Sequence, residues 1–158
     1  MNKALVYTLK AVIAFAGLVI LALCIFWLPY VARIAAVANP EVAYLKYPIL
    51  IGIYLTCIPF FIGIFQTFKL LSLINRDNAF TKDACKSLRT ITMASVSVII
   101  LYIIGFIILN AANAFPPGLG LLGLIIIFAS FVIAVFAEVL RALLIKVVHM
   151  KDENDLTV

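Results

Sequence analysis

Residues 69–89 read KLLSLINRDNAFTKDACKSLR, a polar stretch set between long apolar runs, and its reading decides how the chain is organised. It carries Lys69, Arg76, Lys82, Lys86 and Arg89 against Asp77 and Asp83. Phe68, Leu71 and Ile74 keep an apolar side at helical spacing beyond Lys69, so the preceding helix is expected to run to about Asn75. Arg76-Asp77-Asn78-Ala79 then reads as a turn. Thr81 suits the N-cap of the next helix, with Asp83 near its positive dipole end. Phe80, just before that cap, is placed to pack back on Cys85 or on the preceding helix. Residues 69–90 are therefore expected to form a capped helical hairpin.

Composition explains what lies on either side. With 66% hydrophobic and 12% charged residues among 158, the chain falls outside soluble globular proteins. Its length suits one unit, a single transmembrane domain over residues 1–158. A net charge of +5 raises nucleic acid as a partner. Asp77 and Asp83 dilute the hairpin's charge, however, and only Phe80 offers a ring for stacking, so direct nucleic-acid binding is disfavoured. Cys24 and Cys57 sit in apolar runs and Cys85 in the hairpin, with no disulfide-framework or zinc spacing. They read as small apolar residues, and with His149 the single histidine, no metal or other cofactor is expected.

Spans are expected at about 11–32, 47–68, 91–110 and 119–140, each near the 20 residues a helix needs to cross lipid. Lys3 and Lys10 precede the first, and Ala36-Val37-Ala38 imitates a signal-peptide cleavage site. The apolar run is longer than such peptides use and Arg33 intervenes, so a retained span is the expectation. Trp27, Tyr30, Tyr44 and Tyr47 mark the far interface around the Asn39-Pro40 turn. Pro59 predicts a bend in the second span. Thr92, Ser95 and Ser97 in the third span, and Ser130, Ala134, Ala137 and Arg141 in the fourth, suit close helix approach. Asn110 to Gly118 form an uncharged turn. The last helix is expected to continue past residue 140, with a tail at 149–158.

One side then holds Lys3, Lys10, Lys69, Arg76, Lys82, Lys86, Arg89, Arg141, Lys146 and Lys151, the other only Arg33 and Lys46. With loops this short, the positive-inside rule predicts cytoplasmic termini and a cytoplasmic hairpin in a bacterial plasma membrane. The expected fold is all-α, an integral membrane four-helix bundle whose helices 2, 3 and 4 extend into the cytoplasm.

Charge directs attention to three places. Glu138 and Arg141, three residues apart, can pair at the edge of the fourth span, either as a relay or as an interfacial ion pair with a snorkelling arginine. Thr56, Gln66 and Thr67, with Ser95, Ser97 and Tyr102, can line a polar path or hold helices together. The hairpin can orient the protein, attract anionic headgroups or bind a cytoplasmic partner. Asp152, Glu153, Asp155 and the terminal carboxylate gather opposite charge on the same side, so the tail can fold back on Lys82, Lys86 or Arg89 or stay a solvated, frayed terminus. Nothing in the chain forms a nucleophile–base couple, a phosphate loop or a facing carboxylate pair, and no enzyme is expected.

Asn78-Ala-Phe-Thr81 with the basic run to Leu88-Arg89, and the closing Glu153-Asn-Asp-Leu-Thr-Val158, resemble the YoaS-like family of bacterial membrane proteins, a domain of unknown function. Four spans and the overall length match too. The resemblance implies motif positions at Asn78, Phe80 and Thr81, and at Glu153, Asn154, Asp155, Leu156 and Thr157, with no catalytic or ligand-binding residue among them. It also implies a cytoplasmic protein partner such as a small helix-turn-helix regulator. It favours a docked tail in which Asn154 and Thr157 cap backbone groups and Leu156 buries in a groove between helices. The resulting expectation is a non-enzymatic, partner-binding or regulatory membrane protein. The alternative is a small transporter or channel subunit using Glu138, Gln66 and the Pro59 kink.

Overall fold

Inside lipid every backbone N–H and C=O needs a partner within the protein, so apolar runs of this length cross as helices. A computed structural model of the chain describes residues 2–77, 79–113 and 117–157, and all their side chains except those of Val42, Pro117 and Thr157. Among the described residues there is no strand. Helix α1 (Lys3–Ala22), a π-helical turn (Leu23–Trp27) and α2 (Leu28–Ala38) make the first rod. A 3-10 turn (Pro40–Leu45) leads into α3 (Lys46–Asn75), followed by α4 (Lys82–Ala111) and α5 (Pro117–Thr157). These supply four helices long and apolar enough to cross a membrane. The result is the expected all-α four-helix membrane bundle.

The π turn has a local cause. Leu28 donates to the Leu23 carbonyl, five residues back, which takes it away from Cys24. The next residue, Pro29, has no N–H to offer, so the Cys24 carbonyl lacks a helical donor. Tyr54 of α3 supplies one, its hydroxyl donating to that carbonyl at 2.8 Å. α3 itself stays helical through Pro59 and ends at Asn75, where the apolar spacing placed its end.

α4 is the centre of the packing. It meets α3 on one side and α5 on the other along most of its length, while α1 touches α3 more lightly. No other pair of spans packs extensively among the described residues, so the bundle is open, in the order α1, α3, α4, α5. The covered positions of α5 include 120, 123, 127, 130, 134, 137, 141, 144 and 148, which step alternately by three and four residues. α4 answers with Cys85 beside Arg141, Thr92 beside Glu138 and Phe106 over Gly123, spaced by seven and fourteen residues. This 3.5-residue repeat is the seam of a left-handed coiled coil. The two helices run antiparallel, with the Phe106 ring over Gly123 and Thr92 beside Glu138. Lipid gives apolar helices no hydrophobic reason to associate, so the small residues Gly120, Gly123, Ser130, Ala134 and Ala137 matter because they let the backbones close. Ser97 departs from its expected role: it is exposed, and its hydroxyl donates to the Met93 carbonyl of its own helix at 2.8 Å.

The α1–α3 seam is narrower. Lys10 Nζ donates to Ser72 Oγ at 2.8 Å, Gly17 lies against Ile64, and Cys24 faces Cys57. The first of these contacts puts the start of α1 on the same side as the hairpin.

Candidate functional site at the hairpin end

The end of α3 and the cap of α4 form where their residues predict, whereas Phe80 turns toward α5 rather than onto Cys85 or α3. α3 closes with Arg76 donating to the Ser72 carbonyl and Asp77 to that of Ile74, both at 3.1 Å. Asp77 adopts φ 59°, a left-handed conformation that short polar side chains tolerate. Asn78 lies outside the described residues. Thr81 is extended and caps α4, its Oγ1 accepting from the Ala84 N–H at 3.4 Å. Lys82, Asp83, Lys86 and Arg89 all reach solvent. Phe80 is 55% exposed and borders a shallow cleft with Val148 of α5.

Glu138 and Arg141 do pair. Arg141 Nε donates to both carboxylate oxygens, at 3.2 and 3.1 Å, and a second guanidinium nitrogen also contacts Glu138. Thr92 and Arg89 of α4 lie next to the same carboxylate. Glu138 stands 20 residues from Gly118, about 30 Å of helix, which is the thickness of the hydrocarbon layer. The pair therefore sits at an interface, where a long arginine can keep its head in water. The other polar candidates mostly satisfy themselves: Thr56 and Thr67 donate to the Ile53 and Gly63 carbonyls of their own helix at 2.6 and 2.8 Å. Gln66 lines an open apolar groove along α3. Among the described residues it is not brought to Glu138.

The tail differs from its expected form. It does not turn back: residues 149–157 prolong α5, a helix of 41 residues. The cause is the absence of any stop signal, since neither Gly nor Pro occurs after Gly123. The extension runs alongside the first turn of α4, so Asp152, Asp155 and Lys151 border the cleft with Phe80, Thr81, Lys82 and Asp83. No tail carboxylate forms an ion pair with Lys82, Lys86 or Arg89 among the described residues. Glu153 instead lies 3.1 Å from His149 Nε2, four residues back on its own helix. Asn154 is exposed, and Leu156 is 87% exposed rather than buried in a groove. The Thr157 side chain and the terminal carboxylate of Val158 lie outside the described residues.

Beyond Glu138, α5 continues for about five further turns. One stripe of this extension, Arg141, Leu144 and Val148, is covered by α4. A second, Leu143, Val147 and Met150, has the same spacing and is exposed. Apolar residues at four- and three-residue steps along one helix face suit contact with lipid or with another helix. The signal was present in the sequence as an apolar run too long for one span.

Sequence reasoning missed another constellation. Cys24 Sγ and Cys57 Sγ approach to 3.2 Å across the α1–α3 seam, beside the Tyr54 hydrogen bond. Tyr102 of α4 lies near both thiols and against Thr56. The two cysteines are 33 residues apart, and no spacing rule joins them. The heptad steps Lys10, Gly17, Cys24 along α1 were the available clue.

Comparison with known proteins agrees with this architecture. The family described as "Protein of unknown function (DUF2975)" matches residues 30–158. A protein of Bacillus subtilis (strain 168), "Uncharacterized membrane protein YoaS", is 44% identical over 160 residues, covering all of both chains. No solved structure matches.

Proposed function

The chain belongs to the DUF2975 family, and we propose that it is a non-enzymatic, partner-binding protein of the bacterial cytoplasmic membrane with both termini inside. The observation that carries this reading is the exposed stripe Leu143, Val147 and Met150 on the end of α5 beyond Glu138. Water-facing apolar residues in helical register are costly unless something covers them. The cleft between Phe80–Asp83 and Val148–Asp155 adds charged groups of both signs next to that stripe. The ten basic residues on the hairpin side support the orientation, and Lys82, Lys86 and Arg89 also suit anionic headgroups at the same surface. The partner we favour is a cytoplasmic protein with an amphipathic helix, such as a small helix-turn-helix regulator.

Photo-crosslinking in cells tests this. A crosslinking amino acid at Leu143 or Met150 is expected to give one discrete adduct with a cytoplasmic protein. The same group at Phe128, in the middle of the fourth span, is expected to give lipid adducts only. Lipid adducts alone at all three positions, or the same protein adduct from Phe128, would overturn the reading.

A further inference from the structure

We infer that Cys24 and Cys57 form an intramembrane dithiol whose oxidant is a lipid-soluble quinone, giving a disulfide that ties the first span to the second. This stands independently of the partner-binding reading.

Three observations converge on the pair. The sulfurs are already 3.2 Å apart, so a bond of about 2.05 Å needs an approach of only about 1 Å. The approach is also held in register. The π turn and Pro29 leave the Cys24 carbonyl without a helical donor, and Tyr54, one helical turn before Cys57, fills that place at 2.8 Å. Sulfur and carbonyl of one residue thus meet two neighbouring side chains on the same face of α3, which fixes the rotation of both helices. Finally, access is restricted by depth. Cys24 is 14 residues beyond Lys10 and Cys57 is 12 before Lys69, about 21 and 18 Å along their helices from the hairpin side. Both thiols therefore lie within a hydrocarbon layer about 30 Å thick, out of reach of glutathione and of water-soluble oxidoreductases.

The route that remains is through lipid. Cys57 borders an open groove along α3 whose other walls are Ile58, Phe61, Ile62, Phe65 and Gln66. Such a surface accepts a flat apolar ring. In the reaction two S–H bonds break and one S–S bond forms, while the two electrons and two protons pass to the quinone and reduce it to the quinol. Cys85 takes no part, since it lies near Arg141 at the hairpin end of α4.

Full-length protein in liposomes of neutral lipid tests the assignment. The Cys85→Ser variant, fully reduced, is incubated with a short-chain quinone whose ring positions are all substituted, so that it oxidises thiols without alkylating them. The protein is then denatured and treated with a maleimide polymer that counts free thiols by gel shift. The expected result is a fall from two labels to none, one quinol formed per chain, and return of both labels with dithiothreitol. Oxidised glutathione outside the liposomes is expected to leave both labels. Mass spectrometry of the wild-type chain reads the same bond without any substitution, as linked Cys24 and Cys57 peptides lighter by two hydrogens. Retention of both thiols under quinone, a linkage that involves Cys85, or equal oxidation by external glutathione disulfide would each overturn the inference.

Discussion

The two helix seams of this protein are built on different logic. Between α4 and α5 the contact is extensive and depends on shape, with small residues on α5 such as Gly123 receiving larger ones such as Phe106 from α4. Between α1 and α3 contact is sparse and depends on a few polar atoms: Lys10 with Ser72, Tyr54 with the Cys24 carbonyl, Cys24 with Cys57. In lipid, where burial supplies no general driving force, both are workable ways to join helices. They should fail differently. A shape seam fails by steric overlap and takes the bundle with it. A polar seam can lose one contact and leave the other helices in place.

Gly123→Ala is the strongest way to break the first seam. A Cβ at residue 123 would overlap the Phe106 ring, which lies across the glycine. The ring is half-buried, so it must turn or push the two helices apart to make way. Overpacking of this kind costs about 1–3 kcal/mol. Denaturant unfolding in mixed micelles, followed by circular dichroism, should show a lowered midpoint of that size. An unchanged midpoint would mean that the α4–α5 seam is looser than its heptad spacing indicates.

Ser87→Ala probes the hairpin end of α4 with an effect of opposite sign. Ser87 is 1% exposed, and its hydroxyl has no hydrogen-bond partner among the described residues. An unsatisfied buried polar group costs about 1–3 kcal/mol, whereas a methyl in the same space costs little. Ser87→Ala is therefore expected to raise the unfolding midpoint by about 1 kcal/mol. A loss of stability would show that the hydroxyl has a partner in the folded membrane protein.

How much of this was legible beforehand follows the same division. The hairpin, its Thr81 cap, the end of α3 at Asn75 and the Glu138–Arg141 pair could be read because each rests on residues close in sequence. The small face of α5 was partly visible at Ser130, Ala134 and Ala137 for the same reason. The α1–α3 contacts could not be read, since Cys24 and Cys57 meet only once two helices are set in register and the π turn rotates one of them. The tail misled for a different reason. Asp152, Glu153 and Asp155 gather negative charge on the same side as the basic hairpin, which argued for a turn back to its basic residues. Helix continuation won because no glycine or proline after residue 123 interrupts it, and the first turn of α4 lies alongside.

Gly17→Ala should have the smallest effect and best measures the contrast between the seams. A Cβ there would sit 3.3 Å from Ile64 Cδ1, the far end of a flexible side chain that can yield a few tenths of an ångström. Against that slight crowding, alanine is preferred over glycine inside a helix by about 0.8–1.0 kcal/mol. The two effects oppose each other, so the unfolding midpoint is expected to stay within about 0.5 kcal/mol of the parent. The Gly123→Ala midpoint, measured in the same micelles, should fall well below it. Equal losses at the two glycines would show that α1 is held by shape as tightly as α5. The Lys10, Tyr54 and Cys24 contacts would then be consequences of that packing rather than its cause.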